Sequence, residues 1–149
     1  MSDKLITVDI VSQEGSVYNA KAKIVNLRGS EGEMGISYGH TQLISTMPAG
    51  VVRIEREDAE DTLYVSGGIV EVQPHQVIIL ADVMERAKDL NQAAAEKAKE
   101  KAQKALEEAK GENKVDVEEA RKMLAEAEAR LKALKILKGV NAYYPSSDE

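Results

Sequence analysis

The stretch GSEGEMGISYGH, residues 29–40, combines four glycines with two glutamates and a histidine, a composition that suggests a phosphate loop or a metal loop. Glycine-rich loops hold phosphates with backbone N–H groups, but these glycines fit neither GxGxxG nor the P-loop pattern, and no Lys-Ser/Thr pair follows. Glu31 and Glu33 would also repel a phosphate. We therefore do not expect this stretch to bind a nucleotide.

A metal site is the second chemistry that these residues suggest. His40 with Glu31 and Glu33 would supply one nitrogen and two oxygen ligands, but no second histidine lies at i+2 or i+4. The chain has no cysteine, and its other histidine, His75, follows Pro74 in a predicted turn. The simpler interpretation is a turn-rich loop with a partly buried His40 and a solvated His75. We expect no metal and no cofactor.

Motifs for covalent catalysis are not found either. The segment YVSGG places Tyr64 where the first glycine of a nucleophile elbow belongs, in a region that is predicted to be a hairpin. The formal net charge of −6 and the lack of Phe and Trp argue against a nucleic-acid partner, which needs basic and stacking groups. Neither a membrane-spanning run nor a signal peptide is apparent. We predict a protein that lies in or faces the cytosol and has no active site of its own.

The elements that position these residues change type near residue 87. Residues 1–87 contain 20 Val and Ile and residues 88–149 contain 4, while alanine dominates the second part. Because β-branched residues favour strands and alanine favours helices, the fold class is predicted to be α+β. Alternation and turn residues predict strands at residues 5–12, 20–28, 50–57, 61–68, 68–74 and 76–82. Strands at this spacing indicate an antiparallel β-sandwich over residues 1–87.

Two helices are predicted after residue 87, and they form an antiparallel hairpin over residues 88–138. The first would begin at Lys88, end at Gly111 and bury a seam of Leu90, Ala94, Ala98, Ala102, Ala105 and Ala109. The second would be capped by Asp116 and bury Val117, Ala120, Leu124, Ala127, Leu131 and Leu134. Alanine buries little apolar area, so we expect a marginal hairpin that can exchange its contacts for those of another surface. No role is assigned to the tail, residues 139–149.

Three motifs in this order, GSEGEMGISYGH, SGGIVEVQP and VIILAD, are followed by an alanine-rich helical pair. In this the chain resembles the epsilon subunit of bacterial F-type ATP synthase, over about residues 5–138. The resemblance implies a non-catalytic subunit of the central stalk, or rotor, held peripherally at the cytoplasmic face of the bacterial cell membrane. Its implied partners are the gamma subunit, the proton-driven rotor ring and, when the hairpin extends, the catalytic head, whose ATP hydrolysis it restrains.

The resemblance also assigns residues 29–40, called the docking loop below, to contact with the rotor ring. The implied contact residues are Glu31, Gly32, Glu33, Tyr38, Gly39 and His40. The family usually has proline before the Gly-His pair, whereas this chain has Tyr38. A less preorganised loop with extra aromatic contact area is the expected consequence.

A second departure concerns ATP. Family members that bind ATP on this subunit have Ile/Leu-Asp-x-x-Arg-Ala at the start of the first helix, whereas this chain has Asn91 and Ala94 in place of the aspartate and the arginine. The charged contacts of that motif are therefore missing, and we do not expect this subunit to sense ATP.

The second helix has acidic residues in its first half and basic residues in its last turns, where Arg130, Lys132 and Lys135 lie. Complementarity with the helix dipole explains this pattern without any partner. The resemblance implies instead that these three residues contact an acidic segment of the catalytic head. Two other functions stay open on the residues alone: a free-standing two-domain regulatory adaptor, and a small metal-dependent enzyme that uses His40 and His75.

Overall fold

The computed structural model describes residues 4–109 and 114–143. It confirms the α+β class: a ten-stranded β-sandwich is followed by two helices. The strands are β1 (Ile6–Ser12), β2 (Gly15–Ala22), β3 (Ile24–Gly29), β4 (Gly32–Ile36), β5 (Leu43–Met47), β6 (Gly50–Glu55), β7 (Glu60–Val65), β8 (Gly68–Gln73), β9 (Gln76–Ala81) and β10 (Met84–Arg86). A 3-10 turn (Ala87–Asp89) leads to α1 (Gln92–Ala109) and α2 (Lys114–Tyr143).

The sandwich consists of two five-stranded sheets. The first sheet has the order β2-β1-β9-β8-β5 and the second has the order β10-β7-β6-β3-β4. Alternation places Ile6, Val8 and Ile10 of β1 in the core, while Thr7 and Asp9 face outward and are partly exposed. Among the residues that the structure describes, those of the core between the sheets all belong to the sandwich, so the packing of this core does not depend on α1 or α2.

Strand pairing is antiparallel except at one place. β1 runs parallel to β9, with Thr7 beside Gln76, and so lies between the neighbours β2 and β9. The segment that connects β1 to β9 contains the strands β2 to β8, which belong to both sheets. No crossover helix is needed, because the intervening strands themselves make the connection.

Five of the observed strands differ from the sequence prediction. The predicted strand at residues 20–28 is divided between β2 and β3, because the chain crosses from one sheet to the other at Lys23, whose N–H donates to Glu55 O at 2.8 Å. β4, β5 and β10 were not predicted. β4 contains two glycines and β10 has three residues, so neither has the alternation of large apolar side chains that marks a strand.

A polar cluster joins the edges of the two sheets. The Tyr18 hydroxyl, on β2 of the first sheet, donates to Asp61 on β7 of the second, and Arg56 Nε donates to the same carboxylate at 2.9 Å. Arg86 lies 5.2 Å from the Tyr18 ring centroid. Burial, together with the hydrogen bond to Asp61, raises the pKa of Tyr18, so the phenol stays protonated as a donor.

We expect Asp61→Asn to lower the free energy of unfolding by about 1–3 kcal/mol, because Tyr18 and Arg56 both lose a charged acceptor. Urea denaturation would measure the change. Asp58→Asn is the control for charge alone, since Asp58 is exposed and acts on Arg56 through its charge, whereas the hydrogen bonds of Tyr18 and Arg56 go to Asp61. Equal stabilities of the Asp61 and Asp58 variants would contradict a stabilising role for the cluster.

The two helices pack against one another as predicted, but the buried face of α1 differs in part from the prediction. α2 contacts α1 with one face and β6, β7 and the 3-10 turn with another. In α1 the buried residues are Ala95 and Ala102, whereas the predicted seam residues Ala94 and Ala98 are exposed. The predicted seam is confirmed at Ala102 and wrong at Ala94 and Ala98, because alanine occupies so many positions of the helix that its spacing does not define one phase.

The helix ends also differ from the prediction. α1 begins at Gln92 because the 3-10 turn intervenes, and α2 begins at Lys114, so Asp116 lies in its first turn and is not the N-cap. α2 continues to Tyr143, into the segment treated as a tail. Gly111, the predicted end of the first helix, lies outside the described residues.

Candidate functional site

The docking loop contains a β-hairpin. Gly29 pairs with Gly32, so Ser30 and Glu31 form a two-residue turn between β3 and β4. Ser30 N donates to Ser45 Oγ on β5 at 3.0 Å, and Gly29 lies so close to Ser45 that a Cβ at this position would be 2.9 Å from Ser45 Oγ. These contacts hold the tip of the hairpin against the edge of the first sheet.

The strand β4 separates the predicted ring contacts into two groups. Glu31, Gly32 and Glu33 lie at its beginning, and Tyr38, Gly39 and His40 follow its end. Four strand steps of about 3.3 Å put the ends of β4 about 13 Å apart. The structure therefore does not bring the six residues into one cluster, and a partner that contacts all of them must extend along β4.

The second group forms a tight turn. His40 N donates to Ser37 O at 3.1 Å, and Gly39 has φ +90°, the combination found in a type II turn. Tyr38 occupies the second position of this turn, where proline is favoured, so this backbone also suits the proline that the resemblance implies there. Tyr38 is 41% exposed, and its ring centroid lies 5.2 Å from Lys4 Nζ.

Both histidines lie near this turn. Gly39 N donates to Pro74 O at 2.6 Å, which joins the turn to the Pro74-His75 turn between β8 and β9. His40 is partly buried and its Nδ1 donates to Thr41 O at 2.7 Å, while His75 is exposed. Among residues 4–109 and 114–143, no group of three His, Cys, Asp or Glu side chains is arranged to hold a metal ion.

The outer face of the first sheet exposes apolar side chains on adjacent strands. Ile44 is 71% exposed on β5, Ile69 is 44% exposed on β8, and Leu80 is 49% exposed on β9. Ile69 lies directly opposite Leu80, and Thr46 on β5 lies opposite Ile69. We call Ile44, Ile69 and Leu80 the apolar face. Exposed apolar side chains on adjacent strands are typical of a surface that another protein covers.

The outer face of the second sheet is covered by α2. Tyr64 on β7 and Glu85 on β10 are direct cross-strand neighbours, and Arg130 of α2 lies over both. The Arg130 guanidinium carbon is 4.3 Å from the Tyr64 ring centroid, and its Nε donates to Glu85 Oε1 at 2.8 Å. We call Tyr64, Glu85 and Arg130 the latch. It joins the helical part to the sandwich.

The environment of the latch is apolar. Tyr64 packs with Ala87, Ala129 and Ala133, all of which are buried. Burial raises the pKa of Tyr64 to about 12, and the nearby Arg130 charge acts in the opposite direction. Burial lowers the pKa of Arg130, but the Glu85 hydrogen bond together with the charges of Tyr64, Glu85 and Glu126 outweighs it, so this pKa is raised and the guanidinium stays charged.

The three predicted head contacts have different environments. Arg130 is partly buried in the latch, whereas Lys132 and Lys135 are exposed. Lys132 lines a cleft of about 390 Å³ between α2 and the second sheet, together with Arg28, Arg53 and Glu128. Only Lys135 is therefore directed away from the sandwich surface that the structure describes.

Asn91 and Ala94, the two residues that depart from the implied ATP motif, lie at the start of α1. Asn91 Oδ1 accepts a hydrogen bond from Ala94 N at 2.9 Å, so Asn91 is the N-cap of the helix. Ala94 is exposed. The two residues that replace the charged ones thus begin the helix, and neither carries a charge.

Tyr64 and Glu85 were missed as functional candidates by the sequence analysis. A signal was present: Thr62, Leu63, Tyr64 and Val65 are four consecutive buried residues. A strand with one solvent-exposed face should alternate, so the continuous apolar run in β7 indicates that something covers its outer face.

Two family models match the chain. Residues 5–87 match the beta-sandwich domain of the ATP synthase Delta/Epsilon chain, and residues 88–135 match its long alpha-helix domain. Curated relatives are similar over the full length. The ATP synthase epsilon chain of Francisella philomiragia subsp. philomiragia is 56% identical over 148 residues, which are 99% of this chain and 100% of that protein. The ATP synthase epsilon chain of Francisella tularensis subsp. tularensis (strain WY96-3418) is 53% identical over 148 residues, which again are 99% of this chain and 100% of that protein.

Solved structures share the fold. A chain in the structure of the Euglena gracilis mitochondrial ATP synthase (OSCP/F1/c-ring) has a TM-score of 0.78 at 20% identity, and the match covers 90% of this chain and 84% of that one. A chain in the central stalk/c-ring structure of the Tetrahymena thermophila mitochondrial ATP synthase has a TM-score of 0.61 at 13% identity, covering 90% and 99%. Both family models and the full-length relatives lead to one conclusion. The chain belongs to the ATP synthase delta/epsilon family.

Proposed function

We propose that the chain is a non-catalytic rotor subunit of a proton-translocating ATP synthase, which couples the rotor ring to the gamma subunit and restrains ATP hydrolysis through its C-terminal helices. Full-length relatives that are ATP synthase epsilon chains support membership of the complex. The finer assignments to gamma, the ring and the catalytic head each need support from a surface of this chain.

The apolar face of the first sheet carries the gamma assignment. Ile44, Ile69 and Leu80 are exposed on adjacent strands, whereas the opposite sheet is covered by α2. A rotor subunit that transmits torque needs a stable interface, and buried apolar contacts at the centre of an interface supply most of its affinity. We assign this face to the gamma subunit.

The docking loop is the proposed ring contact. Its two groups, Glu31 to Glu33 and Tyr38 to His40, lie at opposite ends of β4. A ring presents the same polar loop at regular intervals, so two groups about 13 Å apart suit contacts with more than one ring subunit. None of the helices in the described segments is long and apolar enough to cross a membrane. We propose that the chain is held peripherally, at the cytoplasmic face, through these partners.

Co-purification tests the proposal. A tagged chain recovered from detergent-solubilised membranes should carry gamma at a one-to-one ratio. Ile44→Asp combined with Leu80→Asp should reduce the recovered gamma about tenfold or more, because charges would replace the apolar contacts. Met123→Asp is the control, since Met123 is an exposed apolar residue of α2 far from the first sheet in the chain.

Two results would contradict the proposal. If the wild-type chain is recovered without gamma, a free-standing regulatory adaptor becomes the better description. If gamma is recovered equally with the Ile44/Leu80 variant and the Met123 variant, the apolar face is not the gamma interface, even though the chain is a subunit of the complex.

A further inference from the structure

Arg130 contacts two residues that the sandwich presents side by side. Tyr64 and Glu85 are paired across β7 and β10, so their side chains lie on the same face of the second sheet. Arg130 stacks on the ring at 4.3 Å and donates to the carboxylate at 2.8 Å. Its side chain is 29% exposed and that of Glu85 is 40% exposed, so this contact closes one edge of the helix–sheet interface.

The same interface contains a destabilising group. The Tyr64 hydroxyl is buried and has no hydrogen-bond partner among the described residues. A buried hydroxyl without a partner opposes burial, because it has lost its hydrogen bonds to water. The buried part of the remaining contact consists of Ala87, Ala129 and Ala133, whose side chains bury little area, and the larger Val51, Leu90 and Leu137 that pack against them are only partly buried. The attachment of α2 to the sandwich is therefore weaker than the size of the covered surface suggests.

The two uses of Arg130 exclude one another. While its guanidinium is bound to Tyr64 and Glu85, it cannot contact a second protein in the way that the restraint of hydrolysis requires. Glu85 and Tyr64 belong to the sandwich, whereas the proposed restraint is assigned to the C-terminal helices.

Building on the proposed function, we propose that the latch is a regulatory device that holds the helices on the sandwich by sequestering Arg130, and that the unpaired Tyr64 hydroxyl keeps this docked state weak enough to release. Glu85 favours docking, and the Tyr64 hydroxyl opposes it. The latch therefore sets how often the basic end of α2 becomes free to act on another subunit.

A distance measurement on the isolated full-length chain tests docking directly. The chain has no cysteine, so spin labels can be placed at Lys21→Cys on β2 and Glu118→Cys on α2, two exposed positions. Glu85→Gln should reduce the ratio of docked to released distances about threefold or more. Tyr64→Phe should raise that ratio about tenfold, since it removes only the unpaired hydroxyl.

Matched controls separate the latch from a general effect of charge. Glu57→Gln on the sandwich and Arg121→Gln on α2 alter exposed residues outside the latch and should leave the ratio unchanged. If Glu85→Gln and Tyr64→Phe change the ratio no more than these controls do, the latch is overturned. A decrease in docking with Tyr64→Phe would overturn the role given to the hydroxyl.

ATP hydrolysis by the assembled complex provides the second readout. Glu85→Gln should lower hydrolysis, because more helices are released with Arg130 intact. Arg130→Gln should release the helices to the same extent but lower hydrolysis less than Glu85→Gln does, because the released helix keeps Lys132 and Lys135 but lacks the guanidinium. If both variants change the distance ratio as expected but neither alters hydrolysis, the latch is supported and the proposed restraint fails. If the ratio is unaffected, the latch fails whatever the hydrolysis rate.

Discussion

Gly68→Ala is expected to lower the free energy of unfolding of the sandwich by at least about 3 kcal/mol. Gly68 begins β8 with φ +155°, a conformation that residues with a side chain rarely adopt. A Cβ at this position would overlap the Leu80 carbonyl oxygen and lie 3.0 Å from the carbonyl carbon. Both are backbone atoms of the paired strand β9, so relief requires that the two strands separate where Gly68 pairs with Ala81.

Two other glycines distinguish the overlap from ordinary effects of alanine. Gly15 has φ +105° with no atom within 4 Å of an added Cβ, so Gly15→Ala tests backbone strain alone, at about 1 kcal/mol. Gly50 has neither positive φ nor a close contact, and Gly50→Ala should be nearly neutral. Urea denaturation of the three variants gives the comparison. A Gly68→Ala loss no greater than that of Gly15→Ala would show that β8 and β9 adjust without cost.

Ending the chain after Gly111 is expected to raise ATP hydrolysis by the assembled complex roughly fivefold or more, the scale of a typical coupling between sites. The truncation removes α2 with Arg130, Lys132 and Lys135, the proposed contacts with the catalytic head. The sandwich should survive, because its core contains residues from the sandwich alone. Gamma binding through the apolar face should therefore persist, and co-purification of gamma verifies that the complex is intact.

Charge substitutions show which residues of α2 are responsible for the proposed restraint of ATP hydrolysis. Lys132→Gln with Lys135→Gln leaves the latch in place and should produce part of the increase in hydrolysis, and added salt should relieve wild-type inhibition in parallel. Arg121→Gln is the control on the same helix. Wild-type hydrolysis rates in both the truncated complex and the double variant would mean that the basic residues only complement the helix dipole.

The sandwich could be predicted where side chains alternate and could not where they are small. β1 alternates Ile6, Val8 and Ile10 with polar residues, which defines both the strand and its inner face. β4 has glycines at positions 32 and 35 and pairs with β3 through its backbone, so its hydrogen bonds leave no trace in the pattern of apolar residues. The docking loop was therefore treated as one surface, although β4 divides it.

The helices could be predicted as elements but not in their orientation. Alanine at positions 93, 94, 95, 98 and 102 is compatible with several buried faces of α1. The face that is buried is the one that contacts α2, and the position of α2 depends on its contacts with the sandwich. The latch depends on the strand register that places Glu85 opposite Tyr64. It also depends on the contact of Arg130 with both residues, which are far from it in the sequence. Neither follows from local spacing, although the unbroken apolar run of β7 marks a covered strand.

The parallel pairing of β1 with β9 has a consequence for synthesis of the chain. Thr7 leaves the ribosome early, but its partner Gln76 is made only after the seven strands β2 to β8 have been synthesised. At a synthesis rate of about 5–20 residues per second, several seconds pass between the synthesis of β1 and that of β9. During this time Ile6, Val8 and Ile10 are uncovered and the edge of β1 that pairs with β9 is unpaired. We expect the nascent N-terminal hairpin to need protection by a chaperone until residue 81 emerges, and closure of the first sheet to be the slow step of folding.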